Sequence, residues 1–567
     1  MIQTDNETYD ERQGMTMMVK FRWLVLVMSV VLIVSACGSS DEAKRQKEEV
    51  VSTTTYGSGE EEAGTQSGAM KEEGLSSNTF FSKDNDSDLR TFTTPSYSGE
   101  SYEVIEEEGY ASTFSQPLST FSIDVDTASY SNVRRYLNDH RLPPKDAVKV
   151  EEMVNYFTYD YPQPEDGEPF SINTEIGPCP WNEGSYLAMI GLQGLEIEEE
   201  DRPKTNLVFL MDVSGSMDQP DKLPLLKEAF SLLTQELGEN DRVSIVVYAG
   251  ASGVVLSGAT GDDQGLILEK IEQMDAGGST GGSEGIQLAY ELALKHFVYN
   301  GNNRVILATD GDFNVGITSI EGLESFIEEK REEGIFLSVL GFGTGNTDFY
   351  TMETLADKGN GHFAYIDSVK EAEKVLVEEL TGTLYTIAKD VKVQVEFNPN
   401  IVKSYRLVGY ENRRLDNEDF NNDQVDAGDI GAGHSVTALY EINFFGDEAV
   451  VDDLRYQSKE VKDIQNEVMY VKLRYKHPKS DTSQKIEVPV KTVKLYEDVS
   501  GDFIFASSVA EFALLLRQSE YRGHANFDHI YQGLKNSGKV LDDDYKFEFL
   551  TLVSAAERLV DDFSLRD

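Results

Sequence analysis

The sequence predicts an α/β protein: a doubly wound, mostly parallel sheet flanked by helices, with a β-rich α+β region beside it. Three observations carry this expectation. Between residues 204 and 389, short apolar runs alternate with segments of helical periodicity. The runs are nearly continuous in Val, Ile, Leu and Phe, as strands covered on both faces require. After Asp390 the alternation stops and strand-like segments follow one another.

Each element of the sheet has its own signal. Leu207–Met211 reads as the first buried strand, and Leu223, Leu226, Phe230, Leu233 and Leu237 line one face of the helix that follows. Val243–Tyr248 is a second strand, and the next helix turns Ile286, Ala289, Ala293 and Phe297 inward. Val305–Ala308 is a strand, Leu323, Phe326 and Ile327 mark a helix, and Ile335–Leu340 is a strand again. A helix near Tyr350–Asp357, a strand at His362–Ile366 and a helix at Glu371–Ile387 complete the unit. Strands and helices in strict alternation give a parallel sheet with helices on both faces.

The flanks read differently. Phe121–Val125 is strand-like, with helical patterns at Ser129–Leu137 and Val148–Phe157 and strands at Phe170–Ile176 and Tyr186–Leu192. Beyond Asp390, Val391–Phe397, Val402–Leu407, Val436–Phe445, Met469–Leu473 and Ile486–Val490 read as antiparallel strands. Phe503–Arg517 and Tyr545–Leu559 read as terminal helices. Because both flanks are strand-like around an α/β middle, Phe170–Leu192 is expected to pair with strands after Asp390. The expected division is a signal peptide at 1–36, an acidic tether at 37–110, an N-terminal region at 111–203, the α/β domain at 204–389 and a β-rich domain with terminal helices at 390–567.

Composition narrows the function. The 567 residues carry a formal net charge of −51, which excludes a nucleic-acid partner, since phosphate backbones need Lys and Arg for neutralisation. It favours cation uptake instead. A mean hydropathy of −0.38 argues against a polytopic membrane protein. Two cysteines cannot build a disulfide framework. Of these, Cys179, in Gly177-Pro178-Cys179-Pro180-Trp181, reads as a half-buried thiol near a turn.

Lys20 and Arg22 precede an apolar run from Trp23 to Val34 that ends in Ser35-Ala36-Cys37-Gly38. A basic start, about a dozen apolar residues and small residues at a cleavage point describe a secretory signal, too short to span a bilayer comfortably. Its end resembles the bacterial lipobox, which implies cleavage before Cys37 and lipidation of that thiol. The expected location is therefore the outer face of a cell membrane, or an outer membrane, with the chain exported and lipid-anchored. The acidic stretch Asp5–Glu11 ahead of the signal points to a true start at Met15, Met17 or Met18. Residues 41–110 hold 17 acidic and 6 basic residues with little hydrophobic periodicity. Such a segment buries too little apolar surface to offset its ordering entropy and reads as an extended leash.

The chemistry belongs at the carboxyl ends of the parallel strands. The first strand runs into Asp212-Val213-Ser214-Gly215-Ser216, where spacing by two lets an extended turn point three oxygens to one side. A second loop offers Ser279 and Thr280, and a third offers Asp310 and, less directly, Asp312. Oxygen donors without sulfur or imidazole specify a hard cation.

This DxSxS turn, with the distant Thr280 and the strand-end Asp310, resembles the metal-ion-dependent adhesion site of von Willebrand factor type A (VWA) domains. The resemblance implies that Ser214, Ser216 and Thr280 coordinate through hydroxyls, with Asp212 and Asp310 acting directly or through waters. Mg²⁺ suits such a small, water-rich site, with Ca²⁺ or Mn²⁺ as alternatives. Hydroxyl and water ligands neutralise little charge, so the ion stays electrophilic and can take an acidic group from a protein partner. Phe121–Tyr130, Arg141–Lys145 and Val150–Tyr156 resemble the N-terminal region of YfbK-like bacterial VWA lipoproteins. Gly409–Arg413 and Asp426–His434 resemble their C-terminal domain.

Other motifs weigh less. Gly281-Gly282-Ser283-Glu284-Gly285 formally reads as a nucleophile elbow, but no strand precedes it. Gly341-Phe342-Gly343-Thr344-Gly345 is not a dinucleotide fingerprint and no Walker A pattern occurs, so no nucleotide is expected. Asp416–Asp429 lacks the Gly and terminal Glu of a calcium loop. His524 and His529 have no partners at zinc spacing. The expected role is binding or scaffolding without catalysis. The enzyme alternative is a metal-assisted hydrolase with Glu284 as its base. A helical pore built by this chain alone is not expected, since its one hydrophobic segment is spent on export.

Overall fold

The computed structural model describes residues 99–564, apart from 166, 199–201, 279–282, 312–319, 346, 426, 446–465, 481, 492, 494–497 and 542. Cys37, the signal and most of the tether therefore lie outside the described residues. No described helix is long and apolar enough to cross a membrane.

The α/β sheet has six strands in the order Phe363–Ile366, Phe336–Phe342, Asn302–Thr309, Thr205–Asp212, Arg242–Tyr248 and Ser252–Thr260. All neighbours are parallel except the last pair. The Thr205–Asp212 strand is buried along its whole length, with Leu207, Phe209 and Met211 in one apolar core and Val208 and Leu210 in the other. Period-two alternation into two cores is what its unbroken apolar run encodes. The structure adds an antiparallel edge strand, Ser252–Thr260, and the helix Gln264–Glu272, both absent from the sequence reading. The edge strand is rich in Gly and Ser and only half-buried, so it lacks the apolar signature of its neighbours.

The expected helix Glu371–Ile387 is shorter and broken. Helical turns cover Val369–Glu373 and Leu380–Leu384, with a π-helical segment, Lys374–Glu378, between them. The chain is already extended at Thr386, where the Thr386–Phe397 strand begins. Thr386 and Ile387 are β-branched, which favours that early switch.

Two antiparallel sheets flank this unit, and each draws on both ends of the chain. The first runs Ala111–Ser112, Val402–Val408, Ser435–Phe444, Tyr186–Gly194, Phe170–Pro178. Ser435–Phe444 pairs with Tyr186–Gly194 from Ser435 opposite Gln193 to Ile442 opposite Tyr186, which is the long-range pairing expected from the sequence. The second runs Arg414–Leu415, Leu118–Ser122, Thr386–Phe397, Met469–Lys476, Ser483–Val490. Ala188, Ile190 and Leu192 face Val393, Val395 and Phe397 in the core between the sheets. Leu187 and Met189 point the other way, into a helical layer made by Ala128–Asn138, Val150–Asn155, Gly501–Leu516, Phe527–Ser537 and Asp544–Ser564. Trp181, fully buried, belongs to that layer. Cys179 joins it and is buried, not half-buried as expected, and burial pushes its thiol pKa up.

Glu511 is only 1 % exposed in the Gly501–Leu516 helix, and burial pushes its pKa up to about 7. The folded state then holds a proton that the unfolded chain releases above about pH 4.5. Stability should fall by roughly 3 kcal/mol as pH rises from 4.5 to 7 and then level off. Glu511→Gln should flatten that segment of the curve, as read by urea unfolding at several pH values.

Candidate metal centre

Asp212 is the last residue of the Thr205–Asp212 strand, and its carboxylate is fully buried. Its Oδ1 accepts a hydrogen bond from the Ser214 backbone N–H at 2.8 Å, and its Oδ2 from the Thr309 hydroxyl at 3.4 Å. Burial pushes its pKa up to about 6, partly offset by the Ser214 bonds and reinforced by the negative charge of Asp310. The Ser214 and Ser216 hydroxyls lie 2.9 Å apart. Ser214 is buried and Ser216 is exposed, so the cluster opens toward solvent on the Ser216 side. The turn thus sets the two serine hydroxyls against each other and the Ser214 backbone against the Asp212 carboxylate.

The second loop docks on the first through its backbone: Gly277 N–H donates to Val213 O at 2.8 Å, and Gly215 N–H donates to Gly278 O at 3.1 Å. Thr280 itself, two residues on, lies outside the described residues, as does Asp312. The third loop brings Asp310, which is 3 % exposed, from the end of the Asn302–Thr309 strand. The neighbouring Gly311 has φ of +94°, and a Cβ there would come within 2.7 Å of the Thr347 and Asp348 backbone, so only glycine fits this turn.

One contact is unanticipated. Lys222 Nζ sits 2.9 Å from Asp310 Oδ2. In the sequence, Lys222 follows Asp221 and precedes an amphipathic helix, so it reads as a surface residue. Nothing in the spacing shows that it turns inward. Thr309, which anchors Asp212, opens the third loop in the sequence reading and is the last residue of the Asn302–Thr309 strand in the structure.

The donors fit a divalent cation. Asp212, Ser214, Ser216 and Asp310 supply carboxylate and hydroxyl oxygens only, the set a hard ion takes. Glu284, offered by sequence as a base, is exposed in the first turn of the Ser283–Lys295 helix.

A second acidic group lies elsewhere. Carboxylate oxygens of Asp126, Glu152 and Glu353, all buried, fall within 4.8 Å of one another. Lys149 bonds Glu353 and lies 3.3 Å from Glu152, while Arg413 reaches Asp126 and Glu353 at 3.3 Å each. These cations already compensate the carboxylates, and a metal would have to displace them. The cluster works as an ion-pair network joining the α/β unit to its flanks.

The chain is similar to several known proteins. Residues 206–378 match the von Willebrand factor type A domain, residues 96–189 a family described as von Willebrand factor, and residues 382–559 one described as uncharacterized protein YfbK, C-terminal. The chain is 42% identical over 470 residues to YfbK of Escherichia coli K12, covering 81% of each protein. It is 25% identical over 294 residues to the inter-alpha-trypsin inhibitor heavy chain H3 of Homo sapiens, spanning 48% of this chain and 32% of that protein. Among solved structures, a von Willebrand factor type A protein from Catenulispora acidiphila aligns over 67% of this chain and 89% of its own, with 16% identity and a TM-score of 0.39.

Proposed function

The chain belongs to the YfbK family of proteins with a von Willebrand factor type A domain, and we propose from this that it is an envelope binding module whose cation captures an acidic group on a protein partner. Asp212, Ser214, Ser216, Thr280 and Asp310 hold the ion, with Mg²⁺ as the preferred occupant. Cys37 carries the lipid that tethers the chain to a membrane surface, and the acidic stretch from residue 41 gives the folded part reach. The leash is shorter than the sequence suggests, because Glu100 bonds Arg135, Tyr102 stacks on Phe349 and Glu107 meets Ser519. The observation that carries the reading is the Asp212–Ser216 turn. It places two hydroxyls 2.9 Å apart beside a buried carboxylate, and its outer hydroxyl faces solvent.

Such a centre acts by electrostatics. The buried carboxylates of Asp212 and Asp310 would hold the ion, and the exposed Ser216 would leave it open to a ligand from another molecule. The charge-assisted contact formed there is stronger than a neutral one.

Cross-linking in intact cells, followed by purification with and without chelator, tests this. One or more envelope proteins should be captured with Mg²⁺ present and lost with EDTA. A set of captured proteins indifferent to chelation would overturn the proposal.

A further inference from the structure

The geometry points to Lys222 as a built-in counter-cation of the metal centre, one that holds Asp310 while the ion is absent and weakens the ion's binding until a partner's carboxylate arrives. The inference rests on the metal-centre reading above and adds what sets its affinity.

Three observations support it. The ammonium lies 2.9 Å from Asp310 Oδ2, with both side chains nearly buried, at 11 % and 2 % exposure. Its stem is seated in a made-to-fit groove: Gly343 has φ of +74°, and a Cβ there would meet Lys222 Cγ and Cε at 2.4 Å. The glycine of a loop that resembles no nucleotide motif thus has a use here, as the floor beneath this lysine. Finally, Lys222 is the residue that caps the Leu223–Gln235 helix, and it makes no side-chain cap bond there. That position ordinarily favours Ser, Thr, Asp or Asn, and a helix N-terminus repels a cation. A lysine placed there against both preferences, and directed inward, is explained by the charge of Asp310.

The charges then determine behaviour. With Asp212 and Asp310 ionised, Lys222 brings the empty centre to −1. A divalent ion brings it to +1, a surplus that one carboxylate from outside neutralises. Without Lys222 the loaded centre is already neutral. The lysine therefore weakens the ion's binding and strengthens the hold of the loaded centre on an outside carboxylate, so at a given carboxylate concentration the carboxylate tightens ion binding more when the lysine is present.

The test is a Mn²⁺ titration of the folded chain, read by the electron paramagnetic resonance of free Mn²⁺, with and without acetate as the outside carboxylate. Lys222→Met should bind Mn²⁺ about tenfold more tightly than the wild type, because a unit positive charge paired with a proposed ligand, Asp310, is removed from a poorly screened site. Acetate should tighten Mn²⁺ binding in the wild type and do so less in the variant. Lys222→Gln should match Lys222→Met, giving a second reading if the first folds poorly, and Lys222→Arg should restore wild-type affinity. Were Lys222 only a prop for Asp310, both neutral variants would bind more weakly. Equal or weaker binding by both, with the wild type binding, overturns the Lys222 inference alone. Absence of binding in every chain overturns the metal-centre reading as well.

Discussion

Arg134→Met is expected to cost about 3–5 kcal/mol of folding stability, the usual cost of breaking a buried ion pair from one side. Arg134 is 2 % exposed, yet its guanidinium meets four groups. It bonds Asp367, with Nε 2.8 Å from Oδ2, and reaches Glu371 Oε2 at 2.7 Å. It also reaches Glu548 Oε2 at 3.1 Å and the Tyr156 hydroxyl at 3.0 Å. These partners come from the end of the α/β unit, the terminal helix and the N-terminal flank. The substitution leaves Glu371, fully buried, without its principal cation. Glu371 already has its pKa raised by burial against the opposing pull of Arg134. Loss of that pull raises it further, and a raised carboxyl pKa means stability that is lost as pH increases. The penalty should therefore be larger at pH 8 than at pH 5. Chemical denaturation at both values measures it. If Arg134 joins the three segments, the variant should also expose the terminal helix to hydrogen exchange.

Asp212→Ala should abolish the stabilisation that divalent cations give, and it should do so without unfolding the chain. Removing an outer-shell partner of a metal typically weakens binding 10–100-fold. Losing a buried carboxylate of the inner cluster should weaken it by more than about 100-fold. At an ion concentration a hundred times its dissociation constant, the wild type should gain about 2.7 kcal/mol by linkage, and the variant should gain nothing measurable. The metal-free state responds differently. There Asp212 is a carboxylate held inside the protein against burial and against Asp310. Its removal also loses the bond from the Ser214 N–H. These effects oppose each other, so the metal-free variant should melt close to the metal-free wild type at pH 8. Thermal scans with Mg²⁺ and with EDTA separate the two effects.

How much of this was legible in the sequence depends on what each residue's neighbours encode. Leu207–Met211 and Val305–Ala308 are buried on both faces, and an unbroken apolar run has only one stable place in a small domain. The turn Asp212–Ser216 was readable because its spacing is local: geometry two residues apart needs no knowledge of the fold. Ser252–Thr260 was not readable, since an edge strand with one half-open face needs no apolar pattern. The helix Phe527–Ser537 escaped for a related reason, burying only Ile530, Leu534 and Ser537. Lys222 and the cluster of Asp126, Glu152 and Glu353 were invisible on different grounds. Their meaning lies in partners up to 227 residues away, from Asp126 to Glu353, and a charged residue beside a helix looks the same whether it faces water or a carboxylate. The pairing of Tyr186–Gly194 with Ser435–Phe444 was inferable only because both flanks were strand-like around an α/β middle. Nothing local fixes its register.

The central claim is that one divalent cation binds at the Asp212–Ser216 turn and Asp310. Counting Mn²⁺ bound per chain by electron paramagnetic resonance tests it most directly, with Mg²⁺ as competitor and a Ser214→Ala, Asp310→Asn double variant as control. The account predicts one Mn²⁺ per wild-type chain, displaced by Mg²⁺, and none on the double variant at the same concentrations. A wild-type chain that binds no Mn²⁺, or a double variant that binds it as well as the wild type, would contradict it.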